Sequence, residues 1–158
     1  MMLQEGVEET AYGRYLMFSS NGEDFGIAVN YVIDILKMQE ITPVPGVPAN
    51  IRGVINMRGD IITVVDVRMR FGYEYEEYNA RTCIIVVEVK GDKVGLVVDA
   101  VDEVISILDD ELVVPANTVA KPDQAHFFSH VVQKNGKNKL IVNCHAMLNQ
   151  GGIYDDVG

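Results

Sequence analysis

An internal repeat constrains the fold of this chain more than any other feature of its sequence. The segment FGIAVNYV at residues 25–32 and the segment VGLVVDAV at residues 94–101 share the pattern x-Gly-(Ile/Leu)-x-Val-(Asn/Asp)-x-Val. IITVVD after Gly59 has a counterpart in KLIVNC after Gly136. A block of roughly 65 to 75 residues therefore occurs twice, which indicates two copies of one supersecondary unit.

Each copy contains about five short apolar runs separated by turn residues, and this pattern predicts β-strands. The Asn-Gly pairs at 21–22 and 135–136 suit type I′ hairpin turns, because both central residues of such a turn need positive φ. Residues 53–72 predict a hairpin that reverses at Gly59. Residues 81–108 predict another around a Gly-Asp turn, with apolar runs too continuous for a sheet that has one solvated face.

About five strands are too few for a wide sandwich, but they suit a small barrel that hides its own edges. We therefore expect an all-β fold of two barrels with a shared apolar core and a groove between them. The expected domain covers residues 14–149, with pseudo-repeats at about 14–79 and 80–149. Residues 1–13 and 150–158 are expected to be flexible tails.

The segments between strands have distinct compositions. Three prolines within residues 41–50 exclude a helix or a central strand, so this segment is predicted to be a surface arm. Residues 73–80 are acidic and aromatic and suggest a loop between the halves, and residues 109–124 suggest a polar connector. One short helical turn is predicted at 67–72 and another at 145–150.

The charge balance limits the kinds of partner. Thirteen basic and 23 acidic residues give a net charge of −10, with a sequence pI near 4.6, so nucleic acid and acidic lipid should be repelled. Cys83 and Cys144 lie in apolar runs without a CxxC pair, which suggests buried free thiols. No secretory signal is recognisable, and no apolar run approaches the roughly 18 residues that span a bilayer. We expect a soluble cytoplasmic protein without direct membrane insertion.

The sequence offers no catalytic or cofactor-binding constellation. His126 and His130 would be about 13 Å apart on a strand at ~3.3 Å per residue, too far to share one metal ion. Cys144 and His145 would point to opposite faces of a strand, which argues against a nucleophile and base pair. The motifs GxxxxGK[ST], GxGxxG and GxSxG are absent. We therefore expect no enzyme activity, metal or cofactor.

A local basic patch points instead to recognition. Residues 52–70 contain four arginines, at positions 52, 58, 68 and 70, and two acidic residues, at positions 60 and 66. The local charge sum is therefore +2 in an acidic chain. Such a contrast suits a carboxylate-bearing partner. Arg58 stands at the predicted hairpin tip and is the best candidate, whereas solvated turn arginines are the simpler interpretation of the other three.

These motifs together resemble the CheW family, the coupling proteins of bacterial chemotaxis. The resemblance extends from about Arg14 to Leu148 and depends on FGIAVNYV, ITPVPGVP, GVINMRGDIITVVDVRMRFG and VGLVVDAVDEVI in this order and spacing. The chain departs from the family pattern at Thr63, where proline is common, and at Asp34, where glutamate is common. Ten residues follow Leu148, so we expect a stand-alone coupler without the receiver domain of CheV or the ATP-binding and phosphotransfer domains of CheA.

The resemblance implies two five-stranded, SH3-like barrels and a non-enzymatic adaptor. Such an adaptor links the cytoplasmic tip of methyl-accepting chemotaxis receptors to the regulatory domain of the histidine kinase CheA, in membrane receptor arrays, and is expected to be a monomer outside the array. Matching positions imply receptor or kinase contacts for two groups of residues. The first half supplies Val32, Asp34, Gly53 and Arg58, and the second half supplies Ile84, Val98 and Val104.

Two alternatives stay open at this point. A small β-barrel can bind single-stranded nucleic acid or an oligosaccharide, and this function would require exposed aromatic side chains on a strand face. An enzyme using Cys144 and His145 would require a reactive thiol. Inward packing of Ile84, Val98 and Val104 is also a simpler explanation of their apolar character than a contact surface.

Overall fold

The computed structural model describes residues 13–115 and 125–149. Within these residues the chain forms eleven strands and two short helices. The strands are β1 (Arg14–Ser20), β2 (Glu23–Ala28), β3 (Val32–Lys37), β4 (Ile51–Met57), β5 (Asp60–Asp66), β6 (Cys83–Val89), β7 (Asp92–Val98), β8 (Ala100–Ser106), β9 (Leu112–Pro115), β10 (Phe128–Lys134) and β11 (Lys137–Val142). The helices are α1 (Val67–Arg70) and α2 (Cys144–Asn149).

Four two-residue turns build the hairpins, and each ends in a glycine. Both central residues of every turn have positive φ, which matches the right-handed twist of the flanking strands. The predicted turns at Asn-Gly 21–22 and 135–136 and at Gly59 are confirmed. In the hairpin of β6 and β7 the central residues are Lys90 and Gly91, one position earlier than the predicted Gly-Asp turn, and Asp92 begins β7.

The strands form two sheets with related strand orders. The six-stranded sheet has the order β8-β1-β2-β11-β10-β9, and the five-stranded sheet has the order β3-β6-β7-β5-β4. If the chain is divided near residue 80, each sheet combines the first hairpin of one half with the third, fourth and fifth main strands of the other half. The two halves therefore exchange their first hairpins, and β9 is an additional short strand at one edge.

The repeated motif lies where the chain passes from one sheet to the other. Residues 25–32 run from β2 into β3, and residues 94–101 run from β7 into β8. The motif glycines leave room for side chains of neighbouring strands, Ile141 of β11 and Ile84 of β6. A Cβ atom at Gly26 would lie 3.0 Å from Ile141 Cδ1, and one at Gly95 would lie 2.8 Å from Ile84 Cγ2.

Three apolar clusters explain the continuous apolar runs. The central cluster draws on both sheets and includes Phe18, Phe25, Val65, Ile85, Leu96, Phe127 and Met147. A second cluster lies within the five-stranded sheet, and a third lies within the six-stranded sheet. Successive residues of β6 alternate between two of these clusters, so both faces of the strand are buried.

Each helix follows the fifth strand of its half and begins with an equivalent cap. Asp66 Oδ1 accepts a hydrogen bond from Met69 N at 3.2 Å, and Asn143 Oδ1 accepts one from Ala146 N at 3.1 Å. These side chains satisfy amide groups that the short helices cannot pair themselves. The predicted helical turns are thus confirmed, with α2 beginning at Cys144.

The predicted all-β fold of two small barrels around a shared apolar core is confirmed. The surface arm and the loop at residues 73–80 are confirmed as well. The connector at residues 109–124 was predicted to contain no strand, but β9 lies within it. Residues 1–12, 116–124 and 150–158 lie outside the described part, so the predicted tails fall there almost entirely. Among the described residues, no helix is long and apolar enough to cross a membrane.

Candidate protein-interaction surface

Arg58 stands at the exposed tip of the hairpin formed by β4 and β5. Its backbone is left-handed, with φ of 53°, and its side chain is 74% exposed. The guanidinium Nη2 donates a hydrogen bond to Asp34 Oδ2 at 2.9 Å. Two residues that the sequence predicted as contacts are therefore paired with each other, and much of the guanidinium stays accessible.

This ion pair joins the two edge strands of the five-stranded sheet. Asp34 lies on β3, and Arg58 follows directly after β4, the opposite edge of the sheet. Exposed ion pairs contribute about 0–1 kcal/mol to stability, so the pair holds the hairpin tip in place without being essential to the fold. The arginine that could meet a carboxylate partner is thus already oriented by a carboxylate.

The other sheet has a corresponding connection of different chemistry. Lys134, at the end of β10, donates to Ser106 O at 2.9 Å and to both carboxylate oxygens of Glu111 at 3.0 Å. The backbone amide of Leu108 and the Lys134 ammonium lower the pKa of Glu111. This connection has three hydrogen bonds, whereas the connection between Arg58 and Asp34, which we call the Arg58 seam, has one.

Strand β3 also exposes a pair of aliphatic side chains, on the strand face opposite to Asp34. Val32, Asp34 and Leu36 are half-buried, whereas Ile33 and Ile35 are 42% and 43% exposed. An edge strand with exposed apolar side chains is a site for association with another chain. The alternation in VIDILK is the sequence signal for this exposed pair.

Gly53 lies at a close approach of two backbone segments. Its φ of 141° is unfavourable for other residues, and a Cβ atom there would lie 2.0 Å from Thr42 O. Thr42 and Val54 exchange two backbone hydrogen bonds of 2.9 Å. Gly53 therefore allows the proline arm to lie against the edge of β4.

The second-half residues are placed differently from one another. Ile84 is completely buried in the cluster of the five-stranded sheet, and Val98 is 1% exposed in the central cluster. Neither side chain can touch a partner without rearrangement of the barrels. Val104 on the edge strand β8 is 46% exposed and is accessible.

A polar cluster connects the two sheets at their junction. Arg68 of α1 is only 11% exposed in its side chain, donates to Asn21 Oδ1 at 2.6 Å, and pairs with Asp99. The Asn21 amide also donates to Asp99 Oδ2 at 2.9 Å, and Glu76 Oε1 lies 3.6 Å from Arg68 Nη2. The opening beside this cluster is lined largely by polar residues. Arg68 was predicted to be a solvated turn residue, which is wrong because the junction buries it.

The residues considered for catalysis do not form a reactive site. Cys144 begins α2 instead of lying on a strand, and burial raises the pKa of its thiol to about 12. A thiol with this pKa is protonated at neutral pH and is a poor nucleophile. His126 lies in the turn before β10, not on the strand with His130. Within residues 13–115 and 125–149, no group of three His, Cys, Asp or Glu side chains could hold a metal ion.

The fold and this surface define a class of protein: a double β-barrel with hairpins exchanged between its halves, which exposes an arginine and aliphatic edge residues. Comparisons with known proteins are consistent with this class and identify the family within it. The family model described as CheW-like domain matches residues 14–151. The chain belongs to the CheW-like domain family.

Several relatives are similar over most of their length. The chemotaxis protein CheW of Bacillus subtilis is 31% identical over 137 residues, which cover 87% of this chain and 87% of the relative. The chemotaxis protein CheW of Rhizobium meliloti is 33% identical over 136 residues, covering 85% of this chain and 87% of the relative. The crystal structure of the scaffolding protein CheW from Thermoanaerobacter tengcongensis matches with a TM-score of 0.81 at 32% identity, covering 89% of this chain and 95% of the other.

Proposed function

We propose that this protein is a non-enzymatic adaptor that couples methyl-accepting chemoreceptors to the histidine kinase CheA. Family membership supports this proposal, as does the similarity to chemotaxis proteins and to a scaffolding protein of known structure. The adaptor would act in the cytoplasm and be recruited to receptor arrays at the membrane, bound through its protein partners.

The observation that carries the proposal is the Arg58 seam. An accessible guanidinium, oriented by Asp34, stands beside an edge strand that exposes two isoleucines. Charged groups at the rim of a surface give specificity, and burial of apolar side chains contributes to the binding free energy. We assign this surface, with Val32 at the start of β3, to the cytoplasmic tip of the receptor. Val104 on the opposite barrel is assigned to the regulatory domain of CheA.

Coupling would follow from binding two partners at once. If the receptor tip binds one conformation of the kinase and adaptor assembly more tightly than another, receptor state shifts the population of active kinase. Ile84 and Val98 would support this role from beneath the surface, because they fix strands β6 and β7 against both cores.

The alternative of a nucleic-acid or oligosaccharide binder receives less support. Stacking on bases or sugars requires exposed aromatic side chains. Among the described residues, the large apolar side chains that are more than a third exposed are aliphatic, with the exception of Tyr75. The net charge of −10 also opposes a polyanion.

A pull-down experiment tests the proposed partners. The purified protein is mixed with the regulatory domain of CheA and, separately, with a soluble fragment of the receptor cytoplasmic tip. Retention of both partners, in amounts that saturate with concentration, is the expected result. Retention of neither would contradict the proposal, and a salt-sensitive interaction with single-stranded nucleic acid in their place would favour the alternative.

A further inference from the structure

The proline arm contains an apolar projection that the site described above does not use. Residues 42–49 are all exposed, and the segment ITPVPGVPAN contains no charged residue in a chain that is 23% charged. Val44 and Val47 are 39% and 37% exposed. An uncharged, apolar and exposed segment is unusual on such an acidic surface and suggests contact with an apolar partner surface.

The geometry of the arm groups the two valines. Pro45 and Gly46 are the central residues of a turn, and the φ of Gly46 is 81°, the combination typical of a type II turn. The Cα atoms at the ends of such a turn lie within about 7 Å of each other, so Val44 and Val47 together form one small apolar projection. We call residues Val44–Val47 the valine turn.

The arm is fixed at both of its ends. Thr42 and Val54 exchange two hydrogen bonds of 2.9 Å, and the Ile51 amide donates to Pro48 O at 3.0 Å. The prolines further restrict the backbone between these anchors. A preordered element loses little conformational entropy on binding, which favours its use as a docking element.

Gly53 connects the valine turn to the predicted contact surface. Because any Cβ atom at this position would lie 2.0 Å from Thr42 O, a side chain there must displace the first anchor of the arm. Gly53 is also in β4, the strand that leads to Arg58. A substitution at Gly53 would therefore change the position of the valine turn without Gly53 touching a partner.

We propose that the valine turn docks on an apolar depression of the chemoreceptor tip, and that Gly53 is a positioning residue for it. This inference rests on the proposed function. The receptor is the chosen occupant because the arm is hydrogen-bonded to β4, the strand that ends directly before Arg58. The valine turn would supply apolar contact and Arg58 the charged contact of the same interface.

Binding of the full-length protein to a receptor fragment and to the regulatory domain of CheA tests the inference. The double variant Val44→Ser/Val47→Ser should bind the receptor about tenfold more weakly and CheA with unchanged affinity, because truncating an anchor side chain at an interface has effects of this size. Leu108→Ser, a comparable change at a 64% exposed aliphatic residue in the segment that follows β8, is the control and should leave receptor affinity unchanged.

A third variant tests the positioning role. Gly53→Ala alone should also weaken receptor binding, but adding it to the double valine variant should cause no further loss, since both changes act through one element. Losses that multiply would show that Gly53 contributes separately and would overturn its assignment. Receptor affinity unchanged in the double valine variant, or a loss of CheA binding in its place, would overturn the docking proposal. If the wild type binds neither partner, the proposed function itself fails, which is a different outcome.

Discussion

Arg58 and Lys90 have the same left-handed backbone conformation, with φ of 53° at each, at the tips of the two hairpins of the five-stranded sheet. Both are basic, both precede a glycine, and both are exposed. Arg58 differs in being paired with Asp34. The chain thus contains its own matched control for the role of the Arg58 charge.

Charge reversal at these two positions should have unequal effects. Arg58→Glu should weaken receptor binding by about 10- to 100-fold, because it removes a charged interface contact and places like charges together. Lys90→Glu, with the same turn and the same charge change, should leave binding within about twofold, as expected for a residue outside the interface. Titration calorimetry with a receptor fragment measures both. Equal losses in the two variants would indicate a general charge effect.

Exchange of the two charges separates the ion pair from the partner contact. The double variant Asp34→Arg/Arg58→Asp can keep an ion pair across the seam, so its free energy of unfolding should stay within about 1 kcal/mol of the wild type. Receptor binding should still be weakened, because the exposed tip would then carry a carboxylate. Urea denaturation and binding measured on the same sample give both quantities. Full recovery of binding would mean that the ion pair matters and the accessible guanidinium does not.

The junction cluster should be important for stability. Arg68→Met removes the cation that Asp99 and Asn21 share between the two sheets and leaves Asp99 without it. Because the Asp99 side chain is 39% exposed, water compensates part of the loss, and we expect a decrease of about 1–3 kcal/mol in the free energy of unfolding. The exposed Arg81, changed to Met, should shift it by less than about 0.5 kcal/mol. Equal effects in urea denaturation would rule out a special role for the cluster.

The buried thiol predicts a defined dependence on pH. Burial raises the pKa of Cys144 from 9.0 to about 12, so folding favours the protonated thiol, and its contribution to stability is complete below pH 9 and declines as the pH rises toward 12. At pH 7 a thiol reagent should modify the half-buried Cys83 first and Cys144 only after denaturation. The variants Cys83→Ser and Cys144→Ala assign the signals. Rapid modification of Cys144 in the folded protein would contradict its burial.

Local features of this fold were readable from the sequence because they depend on neighbouring residues. The Asn-Gly turns, the glycine after Arg58 and the proline arm each have a local steric cause, namely positive φ or a missing amide hydrogen. The repeat also predicted two related barrels with a shared core. The strand β9 was missed because LVVP is short and ends in proline.

Pairings between distant strands were not readable in the same way. The exchange of the first hairpins depends on the parallel pairs β2 with β11 and β5 with β7, and neither has a local signal. The same limit applies to the surface. The family resemblance predicted Ile84 and Val98 as contact residues. Their strands lie between two apolar clusters, so both side chains are buried. Arg68 was read as solvated because its partner Asp99 lies 31 residues away in sequence.

Reconstituted kinase activity is the sharpest test of the proposal that this protein couples receptor state to a kinase. CheA autophosphorylation is measured with receptor-containing membranes, with and without this protein, and with Arg58→Glu and Lys90→Glu as the variant and its control. The wild-type protein and Lys90→Glu should make kinase activity dependent on the receptor, whereas Arg58→Glu should not. Kinase activity that is the same with and without the wild-type protein would contradict the proposal.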